Sequence, residues 1–376
     1  MTKIFFYLLL IVFLAHGAYN LERSLFITEI YSLIGLIIFI THGHYRLKKL
    51  KQEPASWLVL FIYYSALIAA LSLLHSTAPA YEFIRTTTII YSPLIFFIGY
   101  HVALKTQKLG KYFLILSIPT SIFGTERISL ASSILGINHK KKTVPAVIII
   151  SSLLLHSFYM GVSTPVLAAA LILALIATHH ALNNTKVLGK KTVLALSSLG
   201  LFFPVFIYIY LKPYFEPFVS QGYTAFGNEV DNNAYWRLMY WYHLVSQTLT
   251  SNPITGIGFG TKLFSSNDQN LWWLVVTQHS INNQSIEYVL GPHNSLIYIF
   301  SRTGAIGLFM FLGFLFSFFY KIFSQKNLNI VILSSFCILN TNMFFNVILE
   351  SPIWSINYWF TTGYIYYTLK NTEKPT

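Results

Sequence analysis

The chain of 376 residues is 55% hydrophobic and only 10% charged. This balance excludes a soluble globular domain and indicates a protein that crosses a membrane several times. The net charge of +13 does not indicate a nucleic-acid-binding protein. The positive residues cluster in short loops between apolar runs, which is how the positive-inside rule sets membrane topology. The single cysteine, Cys337, excludes a disulfide framework and a cysteine-based zinc site.

Apolar runs long enough for membrane helices follow one another along most of the chain. Lysine-rich loops separate several of these runs, and the positive-inside rule places such loops in the cytoplasm. For all of them to lie there, residues 127–138 must form a further, short crossing. Such a segment spans only about 18 Å as a helix against a hydrocarbon core of about 30 Å. A broken or re-entrant pair over residues 112–138 is therefore the alternative. The runs cover residues 4–19, 25–42, 56–74, 85–104, 112–124, 143–158, 160–182, 192–210, 294–320, 328–345 and 353–369.

The sequence thus predicts an all-α polytopic membrane protein with about 12 transmembrane helices and both termini inside. Residues 1–210 are expected to form helices 1–9, residues 211–292 one large outer loop, and residues 293–376 helices 10–12. The outer loop is the only sizeable hydrophilic region, so we expect the chemistry of the protein to lie there.

Arginine is concentrated on the predicted outer face. Of the 25 lysines and arginines, 18 fall on the cytoplasmic side, and Arg46 is the only arginine among them. Guanidinium groups bind phosphate through paired hydrogen bonds, so this distribution favours an anionic, phosphate-bearing ligand. Helix-end arginines that snorkel or pair with nearby glutamates are the alternative interpretation of each one. The outer arginines are Arg23, Arg85, Arg127, Arg237 and Arg302.

Two motifs in the outer loop suggest binding of a phosphorylated sugar. Arg237 stands among aromatic residues, and Trp241 follows it by one helical turn, so a cation for phosphate and a ring for sugar stacking share one face. Further on, Asn-Pro-Ile-Thr-Gly-Ile-Gly-Phe-Gly carries alternating glycines whose positive φ angles allow adjacent N–H groups to form an anion-holding nest. A plain tight turn is the alternative. The glycines are Gly256, Gly258 and Gly260.

The end of the outer loop carries Gly-Pro-His293-Asn294, followed by Gly304 and Gly307. A histidine at this water–membrane boundary can act as a base, a hydrogen-bond donor or a ligand at neutral pH. If a helix begins at His293, we expect Gly304 and Gly307 to let a neighbouring helix pack closely. Arg302 then lies about 180° around that helix from His293. A structural histidine at a helix end is the competing interpretation.

These motifs resemble the O-antigen ligases, bacterial membrane glycosyltransferases with a His-x10-Gly signature. The glycine loop, Glu287, the Gly-Pro-His-Asn block and the closing Gly-x-x-Gly occur in the family's order, and the helix layout is similar across most of the chain. The sequence departs from the family at 161–165, where an expected arginine motif is absent. Arg85 or Arg127 is the candidate replacement.

The resemblance implies a multi-pass protein of the bacterial inner membrane, with a periplasmic loop between helices 9 and 10 and an active site facing the periplasm. The donor would be a glycan on undecaprenyl pyrophosphate and the acceptor the lipid A–core. His293 would orient or deprotonate the attacking hydroxyl, while Arg237 and Arg85 would stabilise the departing pyrophosphate. Asn294, Trp241 and the three loop glycines are further substrate-binding candidates. This scheme needs no metal, cofactor or nucleic acid.

Three alternatives remain open at this stage. An O-antigen or capsule polymerase would use the same donor with another lipid-linked repeat unit as acceptor. A lipid-linked glycan flippase also fits a chain of many apolar helices, although transporters usually bind near the midplane between internal repeats, and no repeat is visible here. Finally, the acidic pair Glu229 and Asp231 is of a kind that holds a metal ion, but an exposed loop favours solvated carboxylates.

Overall fold

The computed structural model describes residues 25–41, 54–105, 164–182, 197–221, 232–264, 286–289, 291–325, 329–346 and 348–372. Within these ranges the chain is helical and contains no β-strand. It divides into two units, each assembled from separate stretches of sequence. Unit 1 comprises residues 1–53, 91–190 and 317–376, and unit 2 comprises residues 54–90 and 191–316. Unit 1 therefore combines parts of the first and last regions predicted from the sequence, and unit 2 combines the whole predicted outer loop with parts of both others.

The helices of seven or more residues in the described ranges are numbered in chain order. One-turn pieces lie at Thr88–Tyr91, Ser92–Leu94 and Ile286–Val289. The longer helices are α1 (Leu25–Thr41), α2 (Pro54–Leu73), α3 (Ala80–Thr86), α4 (Ile95–Lys105), α5 (Thr164–Leu182), α6 (Phe202–Gln221), α7 (Asn232–Ser251), α8 (Ser295–Phe323), α9 (Ile330–Phe345) and α10 (Pro352–Thr372).

Two of these helices, α2 and α8, are long and apolar enough to cross a membrane. A third span results if α3 and the bent continuation Thr88–Ala103, which meet at 46°, count as one crossing. These long apolar helices indicate a membrane protein. The predicted crossings at 4–19, 112–124, 127–138 and 143–158 lie outside the described residues. The predicted outer loop is largely structured where it is described, because α6 continues to Gln221 and α7 follows at Asn232.

In unit 1, α4 and α10 cross with their backbones in contact at two glycines. A Cβ on Gly99 would strike the carbonyl group of Phe360, and a Cβ on Gly363 would strike that of Phe96. Aromatic rings close around this crossing, with Phe96 and Tyr366 at 5.5 Å between centroids. Small residues at a helix interface permit such close packing, which is the main source of helix association inside a membrane.

In unit 2, the apolar second half of α8 packs along α2. Trp57 meets Phe309 edge-on at 5.6 Å between ring centroids, and Phe61 lies 5.4 Å from Phe311. Gly313 provides the space into which the Trp57 indole fits. On another side of the unit, α6 and α7 are joined by the stacked rings of Tyr208 and Tyr242, 5.5 Å apart. These contacts fix the helices that carry the candidate site.

We predict that Gly99→Ala destabilises the protein although alanine is the better helix former. In an isolated helix the change favours folding by about 1 kcal/mol, whereas overpacking against a backbone carbonyl costs about 1–3 kcal/mol. The thermal midpoint of the detergent-solubilised protein, followed by size-exclusion chromatography, should therefore fall.

Gly200→Ala is the matched control, because the added Cβ would meet only the movable end of the Leu312 side chain. We expect its midpoint to stay close to that of the wild type. Equal midpoints for the two variants would contradict the close crossing of α4 and α10.

Candidate active site

Helix α8 is interrupted at Gly304, where φ is 65° and ψ is −164°. This region of backbone space is open essentially only to glycine. The interruption breaks the ladder in which each N–H donates to the carbonyl four residues earlier. Polar backbone groups on both sides of Gly304 therefore need other partners.

The segment after α7 supplies those partners by inserting into the break. A continuous helix would join Ala305 N–H to Ser301 O. Here Ala305 N–H donates to Pro253 O at 2.9 Å, and Ser301 O accepts from Ile257 N–H at 2.7 Å. In addition, Ile306 N–H donates to Ile254 O at 3.3 Å. The loop and the helix break thus complete each other's hydrogen bonding.

The loop glycines have the backbone conformation expected from the sequence. Gly256, Gly258 and Gly260 have φ angles of 77°, 80° and 69°. Gly256 could not carry a side chain, because an added Cβ would strike the backbone between Arg302 and Gly304. All three glycines thus adopt the positive φ angles that the motif indicated, and Gly256 is also required by close backbone approach.

Four N–H groups of this loop donate hydrogen bonds to oxygen atoms of the protein. Gly256 N–H donates to Asn252 O at 2.8 Å, and Ile257 N–H to Ser301 O. Phe259 N–H donates to Ser72 Oγ at 3.0 Å and Gly260 N–H to Thr86 Oγ1 at 3.1 Å. The loop consequently braces α2, α3 and α8 together. The engagement of these four N–H groups by the protein argues against the anion-holding nest that the alternating glycines suggested.

Arg302 lies buried where the glycine loop contacts α8. Its side chain is fully buried. One guanidinium nitrogen, Nη1, donates to Gly258 O at 3.0 Å and Thr261 O at 2.8 Å, and Nη2 donates to Tyr288 O at 2.6 Å. The guanidinium also lies 5.3 Å from the centroid of the Tyr298 ring. Arg302, whose role the sequence left undecided, therefore links the glycine loop, the one-turn helix Ile286–Val289 and α8.

The turn that carries His293 is fixed on both sides. His293 itself has a positive φ of 54°, unlike any other non-glycine residue in the described ranges. On one side, Trp241 Nε1–H donates to Pro292 O. On the other side, Asn294 Oδ1 accepts from Leu296 N–H at 3.1 Å and Ile297 N–H at 3.2 Å.

These contacts change the expected roles of two residues. Asn294, predicted to bind substrate, is buried and acts as the N-cap of α8. Trp241 was also predicted to bind substrate. It is only 8% exposed, and its indole N–H holds the backbone next to His293.

The two predicted catalytic residues meet the same indole ring. The Trp236 and His293 rings lie edge to face, 5.2 Å apart at 87°. The Arg237 guanidinium carbon lies 5.9 Å from the Trp236 ring centroid. His293 and Arg237 are both half-buried, whereas Trp236 is 1% exposed. The sequence placed Trp236 beside Arg237 but did not predict that it also contacts His293.

Arg85 lies at the end of α3, a helix that is hydrogen-bonded to the same glycine loop. The neighbouring Thr86 accepts a hydrogen bond from Gly260 N–H and another from Tyr298 Oη, the latter at 3.2 Å. The Arg85 guanidinium has no hydrogen bond, ion pair or ring contact with any part of the chain that the structure describes. It is a half-buried cation that can pair with an anionic ligand.

Gly304 and Gly307 do not have the role expected of them. The backbone of Ile254 and Gly256 packs against Gly304, so the close neighbour is a loop and not a helix. The space over Gly307 is filled by the Thr303 side chain of the same helix, whose hydroxyl donates to Ile299 O at 2.7 Å. Both glycines thus serve the interruption of α8.

An ion pair closes the other end of the glycine loop. Lys262 Nζ lies 2.5 Å from Glu287 Oε2, with the lysine side chain 46% exposed and the glutamate 3% exposed. Leu263 N–H donates to Glu287 O at 2.7 Å. The hydrogen bond with Glu287 raises the pKa of Lys262 above its usual value. Glu287 therefore anchors the loop through its backbone and its side chain.

Several predicted residues lie outside the described part of the chain. These are Arg23, Arg127 and the acidic pair Glu229 and Asp231. Comparison of the chain with protein-family models, with curated proteins and with solved structures gave no match.

We predict that Arg302→Met strongly destabilises the protein. The substitution leaves three buried carbonyl oxygens without their donor, and each such loss costs about 1–3 kcal/mol. The thermal midpoint of the purified protein should fall by roughly 5 °C or more.

Arg85→Met makes the same chemical change at a guanidinium that has no hydrogen bond or ion pair with the described part of the chain, so its midpoint should match that of the wild type. A similar decrease in both variants would show that loss of positive charge, and not loss of the carbonyl contacts, explains the effect.

Proposed function

We propose that the chain is an O-antigen ligase. In this proposal it is a multi-pass glycosyltransferase of the bacterial inner membrane, with about 12 transmembrane helices and an active site on the periplasmic side. It moves O-polysaccharide from undecaprenyl pyrophosphate to the lipid A–core of lipopolysaccharide. The observation that carries the proposal is the contact of both His293 and Arg237 with the Trp236 ring, in a turn held at a strained backbone conformation.

The strain at His293 supports a functional role. A non-glycine residue at positive φ costs about 1–3 kcal/mol and persists only where the surrounding structure imposes it. Here the imposing contacts are the Trp241 hydrogen bond before His293 and the Asn294 cap after it. A histidine that served only to pack between helices would not need this conformation.

The proposed chemistry is a single displacement. The acceptor hydroxyl oxygen attacks C1 of the donor sugar, and the bond between C1 and the pyrophosphate oxygen breaks with its electron pair going to the pyrophosphate. His293 takes the proton of the hydroxyl as it attacks. The products are the glycosylated lipid A–core and undecaprenyl pyrophosphate, with inversion at C1. Neither a metal ion nor a cofactor takes part in these steps.

Arginine supplies the remaining requirement, which is stabilisation of the negative charge that grows on the pyrophosphate. Arg237 lies beside Trp236, the ring that His293 also contacts. Arg85 is a second cation whose side chain has no partner in the described chain, and its helix is bonded to the glycine loop. Fixed cations in a partly dry site stabilise developing charge more strongly than cations in water. In this proposal Arg302 does not stabilise the pyrophosphate, because its guanidinium already donates hydrogen bonds to backbone carbonyl oxygens.

We predict that His293→Asn abolishes ligation while the protein folds and inserts normally. Asparagine tolerates positive φ better than most residues, so this change removes the imidazole with less strain than His293→Ala. The measurement is a lipopolysaccharide gel from cells that lack the gene and carry a plasmid copy. Lipopolysaccharide that carries O-polysaccharide (capped lipopolysaccharide) should disappear, while lipid-linked polymer accumulates.

His75→Asn is the matched control, since His75 is an exposed histidine in the same unit, and it should restore normal capping. If His293→Asn still attaches O-polysaccharide to lipopolysaccharide, His293 is not the base. If cells without the gene instead carry core bearing a single repeat unit, the protein is a polymerase and the proposed acceptor is wrong. If long polymer never reaches the periplasm, the protein is a flippase.

We also predict that Trp241→Phe slows ligation without changing the amount of protein. Phenylalanine keeps an aromatic ring but loses the N–H that holds Pro292 O. Loss of a hydrogen bond of about 1.4 kcal/mol at the His293 turn corresponds to a roughly tenfold decrease in rate. Pulse–chase labelling of capped lipopolysaccharide measures that rate.

Trp57→Phe serves as the reference, because Trp57 packs beside Phe309 and Gly313 in the apolar half of α8. We expect its ligation rate to be unchanged. Equal rates in the two variants would mean that the Trp241 hydrogen bond does not position His293.

A further inference from the structure

Helix α8 is too long to lie wholly within a membrane. Its 29 residues extend about 44 Å at 1.5 Å per residue, against a hydrocarbon core of about 30 Å. The interruption at Gly304 divides it unequally. Residues 305–323 alone extend about 28 Å, which is close to the full thickness of the core. The length of the second part therefore matches one crossing by itself.

The two parts of α8 also differ in chemistry. The first part ends with Ser301, Arg302 and Thr303, all of them fully buried and polar. The second part is apolar from Ala305 as far as Lys321. A charged side chain in the middle of a bilayer costs several kcal/mol. The carbonyl groups that hold Arg302 belong to Gly258, Thr261 and Tyr288, which lie outside the apolar helices, so this polar cluster is better placed outside the hydrocarbon.

Helix α2 ends at the same loop as the second part of α8. Its 20 residues extend about 30 Å, again one crossing of the core. The residues at its outer end bind the glycine loop, since Ser72 Oγ accepts from Phe259 N–H and Ser76 Oγ donates to Gly260 O at 3.3 Å. Two helices of full membrane length thus terminate against one irregular segment.

The tip of that segment is suited to the boundary between lipid and water. Residues 252–255 are all exposed and combine an amide, a proline, a hydroxyl and one large apolar side chain, Ile254, which is 61% exposed. Exposed irregular backbone does not occur within the hydrocarbon region, because its polar groups would lack partners. An exposed isoleucine at the level where two membrane helices end is favoured in contact with lipid.

We infer that the outer surface of the membrane meets the chain at Gly304 and at the end of α2. Residues 252–255 form a membrane-contacting tip in the lipid headgroup layer, and Ile254 points its apolar surface toward the acyl chains. His293 stands about 14 Å further out, the length of residues 295–303 as a helix. This differs from the sequence-based expectation that His293 itself marks the membrane boundary. The inference concerns membrane position and does not depend on the proposed enzymatic activity.

The test is a depth measurement by electron paramagnetic resonance in liposomes. Nitroxide labels are attached to Ile254→Cys and Thr255→Cys in a Cys337→Ala background, which removes the native cysteine. Tyr63→Cys, exposed at the middle of α2, marks the centre of the bilayer. Power saturation with oxygen and with a water-soluble nickel chelate gives each depth. Lipids labelled at the headgroup or along the acyl chain calibrate the scale.

We expect the labels at 254 and 255 to report the depth of the lipid headgroups and the label at 63 to report the bilayer centre. Labels at 254 and 255 that lie as deep as position 63 would overturn the inference, because the loop would then be re-entrant and His293 would lie at the membrane surface. Free access of the nickel chelate to both labels, as in bulk water, would overturn it too. Two labelled positions keep the test decisive if one variant fails to fold.

Discussion

The unpaired backbone groups of the interrupted helix α8 govern the arrangement of unit 2. At Gly304 the helix gives up hydrogen bonds that a buried backbone cannot lose without a large cost in free energy. The segment 252–257 restores them by inserting its own carbonyl and N–H groups between Ser301 and Ala305. That insertion demands glycine where the two backbones touch. It also demands acceptors for the remaining loop N–H groups, which Ser72 and Thr86 provide.

The same chain segment that closes the break also fixes the turn of His293. Helix α7 ends at Ser251, directly before the inserted loop. Its two tryptophans hold the turn, Trp241 by a hydrogen bond to Pro292 O and Trp236 by a ring contact with His293. The first part of α8 therefore runs between two points attached to α7. In this chain the ten residues between His293 and Gly304 set the distance between the turn and the break.

The sequence reveals the backbone requirements of this site more readily than the partners of its polar groups. Alternating glycines after a proline predict positive φ, and the structure confirms it. Whether their N–H groups bind an anion or the protein depends on Ser72 and Thr86, which are distant in sequence. Asn294 before an apolar helix is an N-cap signal that could have been recognised. The polar residues Ser301 to Thr303 precede Gly304, but apolar residues on both sides of them make the segment resemble one continuous helix. Helical periodicity placed Arg302 away from His293 but carried no information on its partners, which are backbone carbonyl groups.

The position of the membrane then explains why the turn and the break need to be separate. A polyprenyl pyrophosphate keeps its phosphates near the lipid headgroups, whereas the sugar that reacts projects from them into water. In the proposed reaction, an imidazole at the membrane surface would face the phosphates, whereas one held further out by residues 295–303 would face the sugar and its acceptor. A short, fully buried helix fixes that height more rigidly than an exposed loop does. Arg302 holds this helix in place through its hydrogen bonds to the glycine loop and to Tyr288 O. In the proposed reaction, this buried cation would thereby set the height of His293 above the membrane.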